Sequence, residues 1–364
     1  MEKNFIVSRQ LAFMVFLSML GSSFIYIPES ATGRNSWLST VMGAVFGLLI
    51  LHLIISLQKM EPGVSILQMS KQKLGTVPGT VINIIYLSML LLAVVLSLYD
   101  ITLFMTLILP NTQELLLQAS MFFAVIFFSY QGITSIGRAA ELLLLPVLLL
   151  ATLALIIPVS NINWFNFLPL LNDWRPIAAG SLISASWPFG QMVFMALFLP
   201  LVTDLQNSAR TIYYWYLVAA ILSVASTSVV IGIAGPETVT FMRFPFFQVI
   251  RGIPLPGLQR IELLFFLLWF VISGAVSNNL FAALMLGLKQ SIRIKKTTTL
   301  IIPAALLIIV LCNYMFPGDI GFFFRTTAVI FLFLPLYILY PAIIFIAARW
   351  HNKKDPKSMY RLKG

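Results

Sequence analysis

The chain has 364 residues, 60% of them hydrophobic and 10% charged, with 23 Lys and Arg against 12 Asp and Glu for a formal net charge of +11. Soluble domains are roughly 45–50% apolar and about 25% charged, so this composition excludes a soluble enzyme, a disordered chain and a secreted disulfide scaffold. The apolar residues come in continuous blocks rather than in period-two alternation, which argues against an outer-membrane barrel and for an all-α integral membrane protein.

Ten blocks read as membrane spans, a helix needing roughly 20 apolar residues to cross. They run at about 9–31, 36–58, 77–108, 115–132, 138–159, 178–202, 211–234, 260–288, 298–316 and 322–348. The polar start MEKNFIVSRQ, with no small-residue cleavage site after it, marks the first block as a retained span rather than a cleavable signal. An even number of spans puts both ends of 1–364 on one side. Of the 23 basic residues only Arg34, Arg175, Arg243, Arg251, Arg260 and Arg325 fall on the other side, so the ends are expected in the cytoplasm. The basic tail 349–364 lacks interleaved aromatics and suits anionic membrane lipids; no nucleic-acid partner is expected. Two outer connections are long. Residues 160–177 carry Trp164, Phe165, Phe167 and Trp174, suited to a short interfacial helix, and the proline-rich 235–259 suits a structured cap.

Irregular backbone at mid-depth is tolerated only against protein or a water-filled cavity. Gly21, Ser22 and Ser23 fall midway along span 1; Ser184, Ser186, Trp187, Pro188, Phe189 and Gly190 fall in the first half of span 6. Pro188 removes an N–H and drives Trp187 from helical angles, and Gly190 frees the chain to turn. The small triplet in span 1 reads equally as a close helix contact. Ten spans divide five plus five, about 9–159 and 178–348, and an odd half must enter from opposite sides. Spans 1 and 6 thus open the two halves of an inverted repeat, where paired discontinuous helices point to a midplane site. Helix ends there offer N–H groups to a carboxylate and carbonyls to an ammonium, the two poles of an amino acid.

Ionisable groups at depth are few. Asp100, beside Tyr99 in span 3, either faces the cavity or lies near the outer end of a long tilted span. In span 8, Ser273, Ser277, Asn278 and Asn279 suit interhelical hydrogen bonds or ligand contact. His52 and the lone Cys312 have no metal-ligating companions and read as packing residues. GxSxG, HExxH and phosphate-binding GK[ST] signatures are missing, as is a histidine acid/base pair, so neither enzymatic activity nor a cofactor is expected.

The span 1 sequence SMLGSSFIYIPES resembles the broken first helix of the amino acid/polyamine/organocation transporter superfamily. Leu20, Gly21 and Pro28, the FLPLVTD closing span 6, GPETVTFMRFP, RIELLFFLLWF with Trp269, and FPGD at 316–319 together resemble the spore-permease family, the B subunits of nutrient germinant receptors. That resemblance implies a LeuT-like bundle in the inner membrane of a spore, recognising a small nutrient such as an amino acid and working with a membrane A subunit and a lipoprotein C subunit. It places the ligand among Gly21, Ser22 and Ser23 of span 1 and Ser186, Trp187, Pro188, Phe189 and Gly190 of span 6, with Tyr99, Asp100 and Asn278 as flanking residues. Glu237, Arg260 and Glu262 would form either an ion-paired cap or an external gate. Proton-coupled amino-acid transport is the alternative, with Asp100 as the carrier. The bulky Trp187-Pro188-Phe189 stands where amino-acid carriers commonly pack small residues.

Overall fold

The computed structural model describes residues 5–24, 27, 32–171, 173–253, 261–292, 298–316 and 332–354. Its α-helices are α1 (Ser8–Ser23), α2 (Ser36–Met60), α3 (Ile66–Leu74), α4 (Thr76–Ile108), α5 (Glu114–Gln131), α6 (Ile133–Ile156), α7 (Trp174–Ser186), α8 (Leu205–Ala234), α9 (Pro236–Val239), α10 (Pro245–Arg251), α11 (Ile261–Ile292), α12 (Thr298–Met315) and α13 (Leu334–Lys354). Eight of these, α2, α4, α5, α6, α8, α11, α12 and α13, are long and apolar enough to cross a membrane. The remaining two expected spans are the two expected to be broken. The sixteen residues of α1 rise only about 24 Å, and span 6 is divided between α7 and a 3-10 helix, Phe189–Leu197.

The packing has the exchange pattern of a five-plus-five repeat. Counting broken spans as one each, span 2 packs on 7 (α2 on α8), 3 on 8 (α4 on α11) and 4 on 9 (α5 on α12), each on the span five places later. Several other contacts come in exchanged pairs: α1 rests on α8 as α7 rests on α2, α4 touches α12 as α11 touches α5, and α1 touches α6 as the halves of span 6 touch α13, whereas the contact of α1 with α11 has no counterpart of like extent. This is an all-α membrane bundle in which the two broken spans occupy equivalent places.

Small residues set the crossing of α2 with span 6. Ser39, Gly43 and Gly47 recur every fourth residue on α2 and meet Gly180 and Ser184 of α7; a Cβ on Gly43 would collide with Ser184, and one on Gly47 would stand 2.7 Å from Phe189 Cβ. Membrane helices associate by van der Waals packing, and small residues let their backbones approach.

Two features depart from the sequence expectation, and a third agrees with it. The connection after span 2 holds α3, started by Ser65, whose hydroxyl accepts the Gln68 backbone N–H. Gly75, at φ 96°, turns the chain from α3 into α4, and Gly79 lets α4 cross α3 so closely that a Cβ would stand 2.6 Å from Lys71 Cα. At the other end, α13 continues to Lys354, so the basic tail begins inside a helix. The outer connections hold short elements: a 3-10 helix at Trp164–Phe167 and, in the proline-rich cap, α9 and α10, whose Phe246 and Phe247 are buried.

Candidate functional site at the helix breaks

Span 6 breaks because its sequence leaves no alternative. The Trp187 N–H donates to the Ile183 carbonyl (2.9 Å), the last helical bond of α7. Trp187 then adopts extended angles, φ −149° and ψ 119°, through a cis peptide bond to Pro188. Chain direction is recovered in the 3-10 helix from Phe189. Trp187, Phe189, Gly190 and Gln191 are all buried. Gly190 is required by contact: a Cβ would stand 2.5 Å from the Ala185 carbonyl oxygen and would overlap the ring of Tyr337 on α13. Tyr337 in turn stands edge-on to Phe194 of the same 3-10 segment, at 5.4 Å between centroids.

In span 1 the α-helix ends with the Phe24 N–H donating to the Leu20 carbonyl (3.0 Å). Gly21 lies in the last turn of α1, not at its middle, and faces α11: a Cβ would stand 2.6 Å from Val276 Cγ2 and 3.0 Å from Ile272 Cγ2. Ser23 faces α8. Its hydroxyl donates to the Met19 carbonyl (2.7 Å) and accepts from Ser223 (2.9 Å). A buried hydroxyl seam continues from there through Ser226 and Thr227 to Thr40 of α2, at 3.1 Å from Thr227. The side chain of Ser22, and Pro28, lie outside the described residues.

α1 touches the 3-10 segment that begins at the break in span 6. The ends of α1 and α7 carry carbonyls without helical partners, and the first turn of the 3-10 segment carries N–H groups likewise. At the buried break the partial negative end of α7 and the partial positive start of the 3-10 segment thus stand side by side. The Ser184 hydroxyl, fully buried one turn before the break, has no hydrogen-bond partner; Ser186 spends its own on the Leu182 carbonyl (2.9 Å).

The flanking residues divide. Ser97 of α4 and Ser277 of α11 share a buried hydrogen bond of 2.6 Å, which places the Ser97–Asp100 turn of α4 beside α11. Tyr99 is buried with its ring 5.1 Å from that of Phe316, and Asp100 is half-buried, about 12 Å before the end of α4. Asn278 faces away from the breaks. Along α11, Val276 meets α1, Ser277 meets α4, Asn278 points toward α5 and α6, and Asn279 returns to α1, donating to Ser18 Oγ (2.9 Å) and the Met14 carbonyl (3.2 Å). Successive helical residues point about 100° apart, so a fully packed helix serves a different neighbour with each. Glu237 is exposed on the first turn of α9; Arg260 and the Glu262 side chain lie outside the described residues. Among the described residues no group of three or more His, Cys, Asp or Glu comes together. His52 instead meets the Tyr213 hydroxyl of α8 at 3.2 Å.

The end of the bundle bearing the chain start is tied down. Ile6 forms a parallel bridge with Val202, exchanging backbone bonds with Leu201 (3.0 Å) and Thr203 (3.1 Å). Asp204 accepts the Ser8 N–H at the start of α1 (2.6 Å), and Arg9 pairs with Glu141 of α6 (2.8 Å). Burial pushes the Asp204 carboxyl up, but hydrogen bonds from Ser8 outweigh it and hold the group below its ordinary value.

The reading of the sequence missed one set of residues here. Asn83 of α4 is buried and joins three elements: its amide donates to the Leu67 carbonyl of α3 (2.8 Å), and its oxygen accepts from Ser70 of α3 (2.7 Å) and Tyr340 of α13 (2.8 Å). Tyr86, one turn on, stacks against Tyr340 at 4.4 Å and donates to the Val193 carbonyl of the 3-10 segment (3.0 Å).

Comparison with known proteins gives this geometry relatives. The profile of a family described as spore germination protein, the spore permeases, matches residues 5–320. Spore germination protein KB of Bacillus subtilis (strain 168) is 25% identical over 98% of each chain, and spore germination protein YndE of the same strain is 20% identical over 96% of this chain and 98% of its own. Among solved structures, a Na+-coupled sialic acid symporter in a substrate-bound outward-open state superposes with a TM-score of 0.62 at 10% identity, covering 93% of this chain and 88% of that one. Mhp1, a nucleobase-cation-symport-1 family transporter in a closed conformation, gives 0.57 at 12% identity, covering 95% and 93%. The fold is therefore that of the LeuT-type transporters.

Proposed function

We propose, from the premise that this chain belongs to the spore germination protein family, that it recognises a small zwitterionic nutrient, an amino acid for preference, as the B subunit of a germinant receptor. The ligand sits between the broken spans, its ammonium on the carbonyl ends of α1 and α7 and its carboxylate on the N–H groups opening the 3-10 segment. The observation that carries this reading is the buried break at Trp187–Gly190, which opens a 3-10 segment that α1 touches. Binding favours one arrangement of the bundle and passes the change to A and C subunits, which the ligand can drive only through differential affinity for the two arrangements. In this reading the chain lies in the inner membrane of the spore with both ends in the cytoplasm, in keeping with its basic residues.

A second reading, proton-coupled amino-acid uptake, is favoured by the fold alone, because the solved neighbours are transporters. Asp100 would then carry the proton. Nutrient-triggered germination should be measured with Ser184→Val and Pro188→Ala in strains whose subunit levels are normal. The proposal expects the dose response to move to at least roughly tenfold higher nutrient, and an unmoved curve in both variants sinks the assignment of the site. Accumulation of labelled amino acid against a gradient by reconstituted protein, lost in Asp100→Asn, would select transport.

A further inference from the structure

Between α1, α5, α6 and α11 lies a cavity of about 310 Å³, lined by Leu17, Met121, Val125, Leu143 and Ala275 and reached by the side chain of Asn278. We propose that it binds an uncharged amphiphile with a single hydrogen-bond donor, taken up from the hydrocarbon of the bilayer, at a site separate from the helix breaks. The volume is at the lower end of small-molecule pockets, roughly 300–1,000 Å³. Among the described residues no charged side chain lines it, so an ion or a zwitterion would bury charge without a counterpart. Three polar side chains reach it, and two are committed: Ser120 donates to the Leu117 carbonyl (2.8 Å), and Asn279 holds Ser18 and Met14. The third, Asn278, is 6% exposed, and its Oδ1 has no hydrogen-bond partner. A buried acceptor in apolar surroundings is stabilised by any donor that reaches it, and an apolar chain with one hydroxyl supplies both halves of that match. Ser120 and Ala124 of the lining are exposed on α5, as are the rings of Phe123 and Phe127 next to them in the chain, an apolar surface that suits lipid. Space exists because small residues line it: a Cβ on Gly274 would already stand 3.3 Å from Met121 Cε. Since Asn279, the next residue, clamps α1, an occupant bears on the α1–α11 contact that includes Gly21.

The inference does not rest on the proposed function and is tested by binding alone. The full chain in lipid nanodiscs is photolabelled with azioctanol and the adducts are mapped by mass spectrometry. Labelling of α5, α6 and α11 should saturate, and octanol should displace it roughly fivefold better than octane at equal membrane mole fraction, the worth of about one hydrogen bond. Asn278→Val should remove that preference, and Ala139→Leu, which fills the cavity and keeps Asn278, should remove saturable labelling. Equal displacement by octane, meaning that acyl chains fill the space, overturns the proposal. So does labelling that never saturates, or a preference unchanged in Asn278→Val; if that variant does not fold, the Ala139→Leu result decides.

Discussion

The junction at Asn83 allows a quantitative test of how span 6 is supported. Asn83→Leu keeps the volume of the side chain while removing the acceptor for Tyr340 and the donor to the Leu67 carbonyl. Ser70 keeps a partner, because its hydroxyl also reaches the Leu67 carbonyl at 2.8 Å. The buried Tyr340 hydroxyl loses its Asn83 acceptor and is left with Ser70, whose own hydroxyl is already donated to the Leu67 carbonyl. A lost hydrogen bond costs about 0.5–1.5 kcal/mol, a buried group left without a partner about 1–3, and bonds inside membrane bundles average about 0.6. Asn83→Leu should therefore cost about 2–3 kcal/mol and Tyr340→Phe about 1. The double variant should fall short of the sum by about 1 kcal/mol, because without the hydroxyl nothing on Tyr340 is orphaned. Denaturant titration of the four proteins in mixed micelles, followed by tryptophan fluorescence, gives the cycle, and hydrogen exchange should show α3 losing protection in Asn83→Leu. Additive single effects, or α3 protection equal to that of the parent, would refute the claim that this junction holds α3 and α13 together.

Two further outcomes follow from contacts at the breaks and at the chain start. Gly190→Ala must displace the Tyr337 ring or the Ala185 carbonyl, a small-to-large change worth about 1–3 kcal/mol; Tyr337→Leu in the same chain should return part of it, and thermal unfolding that shows neither loss nor rescue contradicts the packing described. Asp204→Asn should speed hydrogen exchange at Ser8 and the following amides. Because the Asp204 carboxyl lies below its ordinary value when folded, its contribution is complete above the unfolded value of about 3.9 and fades only as pH falls through the lower folded value; a protection factor at Ser8, referred to the intrinsic exchange rate at each pH, that instead changes between about pH 5 and 8 would assign the tether to another group.

The break in span 6 is legible because it is written in local chemistry. Pro188 cannot donate to the helix wherever it is placed, and Gly190 follows within two residues. Span 1 gave a weaker mark, and the structure divides its triplet: Gly21 serves a close contact with α11, while Ser23 opens the hydroxyl seam to α8. Helix α3 had a readable start in Ser65 and Gln68, the ends of a capping box, but its nine residues are too few and too polar to register among blocks of twenty. The small-residue rows of α2 and α7 were likewise present at a spacing of four. Asn83, Tyr337 and Tyr340 carried no such mark. Their role arises from partners on α3, α13 and span 6 that are far apart in the chain, and no local pattern tells a buried asparagine that joins three helices from one that faces lipid.

These residues connect the proposed ligand site to the surface of the bundle. Tyr337 fills the space left by Gly190 at the break, and Tyr340, one turn further along α13, is hydrogen-bonded to Asn83, which holds α3. Tyr86 closes the loop by bonding the 3-10 segment itself. A ligand that shifts the inner half of span 6 therefore meets a rigid stack of rings before it meets empty space, and the element at the far side of that stack is a short surface helix rather than a spanning one. A receptor needs only that its displacement reach a surface where another subunit can read it. Whether energy passes along this route is decided by coupling rather than by proximity, and the Asn83–Tyr340 cycle measures that coupling at the hydrogen bond that joins α4 to α13.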